Sequence, residues 1–81
     1  MKVLKFGGAW CTNCKQLTEV INKLNTDVSI EEVDVDNDID TSLLYKIRSV
    51  PTMVMVDEDG EVKRFSGMMG ETQLKEWLQN D

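Results

Sequence analysis

The apolar positions of this 81-residue chain fall into blocks with two different periods. Val3-Leu4-Lys5-Phe6 is a short run of strand length, and Gly7-Gly8 after it frees the backbone for a turn. Leu17, Val20, Ile21 and Leu24 then fall at i, i+3, i+4 and i+7, which predicts a helix from Cys11 to about Asn25. Cys14 extends that stripe toward the N-terminus, and Cys11 stands at the helix mouth. Val28 to Val35 reads as a second strand, with Ile30, Val33 and Val35 as its apolar part. Asp36 to Asp40 is an acidic turn suited to capping a short helix near Thr41–Ile47. Thr52-Met53-Val54-Met55-Val56 is a continuous apolar run, the pattern of a strand buried on both faces. Asp57-Glu58-Asp59-Gly60 is a hairpin turn with an Asp-Gly signal, and Glu61–Ser66 returns as an outer strand with Val62 and Phe65 as its apolar residues. Leu74, Trp77 and Leu78 form the stripe of a last helix from about Glu71 to Gln79, which Gln73 can help to cap. The order βαβ, α, β-hairpin, α predicts an α/β fold in one domain spanning residues 1–81. Its sheet is four-stranded and mixed, with helices on both faces. The first two strands are parallel, joined by a right-handed crossover.

Composition narrows the partners. Hydrophobic residues are 41% and charged residues 30%, the balance of a globular chain. A net charge of −6 argues against nucleic acid or an anionic membrane as a partner. No segment approaches the ~20 apolar residues of a membrane span, and the apolar start is too short for a secretory signal, so a cytoplasmic protein is expected. The absence of histidine excludes Cys-His catalysis and His-ligated metals. Six acidic residues lie between Glu31 and Asp40, and Asp34-x-Asp36-x-Asp38 has the opening spacing of a calcium loop. However, Ile39 stands where that loop needs glycine and Tyr45 where it needs a bidentate glutamate. The segment reads instead as a solvated, helix-capping turn.

The remaining chemistry lies in Cys11-Thr12-Asn13-Cys14, which holds both cysteines of the chain. A helix mouth carries unpaired N–H groups and partial positive charge, so a thiolate there is stabilised and reacts near neutral pH. The helical spacing predicts an exposed Cys11 and a more buried Cys14, one turn on and within reach of a mixed disulfide formed by Cys11. A zinc site usually takes four Cys or His ligands, and two are present, so no metal is expected. Trp10, Val50, Met68 and Met69 are candidates for an apolar rim around Cys11. For the two methionines, core positions are the alternative.

With these residues in place the chain resembles the thioredoxin family. Trp10-Cys11-x-x-Cys14-Lys15 after a strand matches that family's active-site stretch. Val50-Pro51-Thr52 before an apolar strand resembles its cis-proline loop. Gly67 falls at its substrate-groove glycine, and Leu74-Lys75-Glu76-Trp77-Leu78 resembles its last helix. The likeness runs from about Val3 to Leu78. It implies a thioredoxin-like fold lacking the extra N-terminal strand and helix of longer members. It also implies a dithiol–disulfide oxidoreductase in which Cys11 attacks and Cys14 resolves. Trp10, Val50, Pro51, Gly67 and Met68 would then bind substrate. Protein disulfides would be the substrates and a thioredoxin-reductase-type enzyme, commonly NADPH-dependent, the electron source. No bound cofactor is needed, and a monomer is expected. A glutathione-dependent, glutaredoxin-like role with Lys15 as the local cation is one alternative. A binding subunit with idle thiols and an oxidant or isomerase are the others.

Two departures from the family pattern bear on the site. Thr12-Asn13 replaces the usual Gly-Pro between the cysteines. Lys5 and Glu32 stand where the family has a buried aspartate and a nearby lysine, so the pair is reversed in sign. Lys5 and Glu32 are expected either to pair near Cys14, modulating it with Lys15, or to reach solvent separately. An ammonium beneath the cysteines favours the thiolate, so thiol pKa is expected to rise in Lys5→Met.

Overall fold

A computed structural model describes residues 1–79. Its elements are β1 (Lys2–Gly7), α1 (Thr12–Leu24), β2 (Ser29–Asp34), α2 (Ile39–Leu44), β3 (Thr52–Asp57), β4 (Gly60–Ser66) and α3 (Glu71–Gln79). The four strands form one sheet in the order β2-β1-β3-β4. β1 runs parallel to β2 and antiparallel to β3, and β3–β4 is the antiparallel hairpin. The expected α/β architecture, a mixed four-stranded sheet with three helices, is the one observed.

Alternation along the central strands splits the core into two layers. On one face Val3, Met53 and Met55 pack with Leu17 of α1 and with Leu74 and Leu78 of α3, joined by Met69. Val20, Ile21, Leu24 and Trp77 border this layer, so the two predicted helical stripes do meet the sheet. On the other face Leu4, Phe6, Val33, Val54 and Val56 are covered by Val35, Tyr45, Ile47 and Val50. The Tyr45 ring lies 5.8 Å from that of Phe6. β3 is buried along Thr52–Val56, as its unbroken apolar run requires.

Helix ends follow local chemistry. Cys11 caps α1 and accepts the Cys14 N–H, while Asn25 ends the helix in the left-handed conformation with Lys23 in the last turn. α2 starts two residues earlier than its pattern suggested because Asp38 is the cap, accepting the Thr41 N–H at 3.1 Å. Lys46, with φ 55°, turns the chain out of the helix before Ile47. Ile39, Leu43 and Leu44 of α2 are exposed. The second layer is therefore covered by the segment just after α2 rather than by the helix itself.

The hairpin departs from the sequence expectation at one residue. Asp57 pairs with Gly60 around Glu58-Asp59, and Gly60 takes φ 121°. The register then shifts, with Val56 opposite Glu61 and Met55 opposite Lys63. Val62 is the extra residue of this bulge, so it is exposed instead of joining Phe65 in the core. Arg64 ties β4 to the end of α2, donating to the Tyr45 carbonyl and to both Glu61 carboxylate oxygens.

Candidate functional site

The C-terminal ends of β1, β2 and β4 and the start of β3 meet at one end of the sheet, since Gly7 pairs with Asp34, Phe6 with Thr52, and Thr52 with Ser66. The Cys11–Cys14 segment leaves β1 at this end. The two cysteines are joined in a disulfide with Cα atoms 5.2 Å apart. The Cys14 N–H donates to Cys11 Sγ at 3.1 Å, and the Cys11 N–H donates to the Gly8 carbonyl at 3.0 Å. The helix mouth therefore directs a donor at the first sulfur, where a thiolate would be stabilised.

Cys11 is not the exposed residue its spacing suggested. It is 7% accessible against 4% for Cys14. As the N-cap it turns Sγ inward to meet both the Cys14 sulfur and the Cys14 N–H, a geometry that helical periodicity does not contain. The difference between the two sulfurs lies in what surrounds them more than in depth.

Gly7 and Gly8 serve space rather than conformation. Neither has a positive φ. A Cβ on Gly7 would sit 3.0 Å from Cys14 Sγ, and one on Gly8 would sit 2.7 Å from the Trp10 indole nitrogen. The first glycine seats the sulfur against the sheet, and the second lets the Trp10 ring fold back over the turn. Trp10 is 65% exposed yet fixed in place, because its indole N–H donates to Asp36 Oδ2 at 2.7 Å. Asp36 was legible only as part of an acidic turn. Its contact with Trp10 spans 26 residues and no local pattern signals it.

Beside this turn the Val50–Pro51 peptide bond is cis. The Pro51 carbonyl accepts the Gly67 N–H at 2.9 Å, and Thr52 Oγ1 bonds the Ser49 carbonyl at 2.7 Å, so the loop is tied to both β3 and β4. Among the described residues the Val50 backbone has no hydrogen-bond partner. Gly67 takes φ 100°. Met68 is exposed while Met69 is buried in the core, which divides the two methionines between rim and interior.

Behind the cysteines lies a recess of about 380 Å³ lined by Lys5, Gly7, Cys14, Lys15, Thr18 and Glu32, among others. Lys5 follows the alternation of β1 onto the α1 face and is 1% accessible, in a row otherwise occupied by Val3, Met53 and Met55. Its Nζ contacts Glu32 Oε2 at 3.2 Å, and the carboxylate side chain is 61% accessible. The pair is half buried, with the cation inside. Thr18 Oγ1 lies 3.4 Å from Glu32 Oε1 and 3.1 Å from the Cys14 carbonyl, linking the carboxylate to the α1 backbone. Thr18 carried no signal in the sequence. Lys15 is exposed at the rim of the recess. Among the described residues no three Cys, Asp or Glu side chains are grouped to hold a metal, and no helix is long and apolar enough to cross a membrane.

Comparison with known proteins places this geometry. The family model described as Thioredoxin matches residues 1–80. Mitochondrial thioredoxin of Bos taurus is 32% identical over 80 residues, an alignment covering 94% of this chain and 48% of that protein. Thioredoxin of Rickettsia bellii is 31% identical over 84 residues, covering 98% and 79%. The chain thus spans about half the length of the mitochondrial relatives it matches and most of the rickettsial one. Among solved structures, a mutant thioredoxin from Halobacterium salinarum superposes with a TM-score of 0.86 at 29% identity, over 95% of this chain and 70% of that one. Thioredoxin 1 of Thermosipho africanus gives a TM-score of 0.78 at 26% identity, over 98% and 96%.

Proposed function

Since the chain belongs to the thioredoxin family, we propose that it is a thiol–disulfide oxidoreductase that reduces protein disulfides with Cys11 and Cys14. The observation that carries this reading is the closed Cys11–Cys14 pair at the mouth of α1, with the Cys14 N–H donating to Cys11 Sγ. In the reduced protein the Cys11 thiolate attacks one sulfur of a substrate disulfide. The Cys11–substrate bond forms, and the other substrate sulfur leaves as a thiolate that takes a proton from water. Cys14 then loses its proton and attacks Cys11 Sγ. The intramolecular disulfide forms, and the second substrate thiol is released.

The surrounding residues suit an extended substrate strand. The unpaired Val50 backbone beside Pro51 offers main-chain groups for strand-like pairing. Gly67, with open space where a side chain would project, keeps that approach clear. Trp10 and Met68 supply exposed apolar surface. The resulting disulfide is recharged by a thioredoxin-reductase-type enzyme. The protein acts as a monomer in the cytoplasm and carries electrons in its cysteines alone.

The test is reduction of a protein disulfide such as that of insulin, driven by dithiothreitol. The wild-type protein is expected to accelerate it well above dithiothreitol alone, and Cys11→Ser to abolish the acceleration. Cys14→Ser is expected to stall as a mixed disulfide on Cys11, visible by mass. A wild-type protein that adds nothing to the dithiothreitol rate would favour a binding subunit with idle thiols instead.

A further inference from the structure

Lys5 occupies a core position of the sheet and presents a charge there. Val3, Lys5 and Gly7 share one face of β1, and the positions beside Lys5 are Glu32 on β2 and Met53 on β3. The side chain is 2% accessible, yet its head group is not surrounded by hydrocarbon. It lines the recess that also exposes Cys14. A Cβ placed on Gly7 would lie 3.8 Å from Lys5 Nζ and 3.0 Å from Cys14 Sγ, so the two atoms are separated by no more than about 7 Å. Gly7 contributes no side chain between them.

We propose that Lys5 is the residue that sets the redox poise of the cysteine pair, its buried ammonium stabilising the Cys14 thiolate and with it the reduced dithiol. This deepens the oxidoreductase reading and rests on it. The asymmetry of the ion pair is what makes the cation act on the sulfur. Glu32 is mostly in solvent, where its charge is screened, while Lys5 Nζ faces the sulfur through protein and a small recess. A unit charge about 7 Å away in an effective dielectric of about 20 shifts an equilibrium by tenfold or more, and partial cancellation by Glu32 brings this to roughly tenfold.

The step affected is the second one. The Cys14 thiol gives its proton to solvent, and its thiolate attacks Cys11 Sγ. The Cys11–substrate bond breaks as the Cys11–Cys14 bond forms, and the departing substrate thiolate is protonated by water. Stabilising the thiolate in the reduced protein makes the Cys11–Cys14 disulfide a better electron acceptor than it would be over an apolar residue.

The other charges facing the recess are Glu32 and Asp34 from β2 and Lys15 from α1, and Met53 on β3 brings none. Lys5→Met keeps the chain length and leaves behind an exposed carboxylate that water solvates, so the variant is expected to fold. Lys5→Gln makes the same prediction with a polar head, should the methionine variant not fold. Lys5→Arg keeps the charge.

The experiment equilibrates wild type, Lys5→Met, Lys5→Gln and Lys5→Arg with reduced and oxidised glutathione across pH, and titrates the thiols of each reduced protein. In Lys5→Met the equilibrium constant for accepting electrons from glutathione is expected to fall about tenfold, or ~30 mV. The thiol titration should move to higher pH, and Lys5→Arg should restore both. The gap is expected to be absent where both proteins hold Cys14 as a thiol. It opens as pH rises through the wild-type titration and levels off above that of the variant. A buried lysine with a merely structural role would change unfolding and leave the equilibrium constant and titration where they are, and that result overturns the proposal. A shift in Lys5→Met that Lys5→Arg fails to reverse overturns it too. If wild type never closes its disulfide in these buffers, the oxidoreductase reading itself is what fails.

Discussion

The two faces of β1 have the same backbone and opposite purposes. Leu4 and Phe6 point to a layer of aliphatic and aromatic neighbours. Val3, Lys5 and Gly7 point the other way, and along that row hydrophobic packing gives way within two positions to an ammonium and then to an absent side chain. The site is cut from the core layer itself. The one charge placed in that layer has a partner at 3.2 Å. Both faces pack a core, and the chemistry lies at the end of the Lys5 face.

That contrast can be broken most severely from the apolar side. Phe6→Ala removes a fully buried ring that also meets Tyr45, and is expected to cost about 3–5 kcal/mol in urea unfolding. Lys5→Met, one residue away on the other face, is expected to be neutral or stabilising, because an ion pair with one buried member contributes little net stability over a packed apolar chain. A comparable loss from both would contradict the division. Gly7→Ala comes next. Its new methyl would sit 3.0 Å from Cys14 Sγ, so the disulfide must give by a few tenths of an ångström, at about 1–3 kcal/mol in thermal or urea unfolding of the oxidised protein.

Smaller effects sharpen the boundary of the site. Asp36→Ala frees the Trp10 ring. It is expected to cost no more than about 0.5–1.5 kcal/mol of stability, while KM for a protein disulfide rises several-fold and kcat holds. Steady-state kinetics separate these. Smallest is Glu61→Gln, far from the cysteines. The hydrogen bonds from Arg64 hold the Glu61 carboxyl below its usual range, so the pair stabilises the fold above the unfolded carboxylate titration and ceases to as pH falls through the folded one. The variant is expected to be about 0.2–1 kcal/mol less stable at pH 7 and to converge with wild type on acidification, read by unfolding at both pH values.

The elements were legible because their periods are clean. The α1 stripe, the unbroken Thr52–Val56 run and the Asp-Gly turn each carry their assignment within a few residues. Misses arose where an outcome depends on two segments at once. The bulge that expels Val62 is a matter of register between β3 and β4, and Val62 alone looks like any apolar strand residue. The early start of α2 depends on which of several aspartates does the capping. In the site, the cysteine pair announced itself, but the inward turn of Cys11 did not. The partners that hold the site, Asp36 on Trp10 and Thr18 on Glu32, join residues 26 and 14 positions apart with no shared pattern. Lys5 was visible as an anomaly, a charge in an apolar strand whose resemblance-based partner was Glu32. Which of the two is buried followed only from the fold.

The most direct test is the reduction potential of the Cys11–Cys14 pair in graded glutathione buffers from pH 7 upward. An intramolecular disulfide in reversible exchange is expected. Its potential is expected below ~−200 mV, and Lys5 is expected to raise it as pH climbs through the Cys14 titration. Failure to form the intramolecular disulfide, or a value near the ~−120 mV of a strong oxidant, would contradict that expectation.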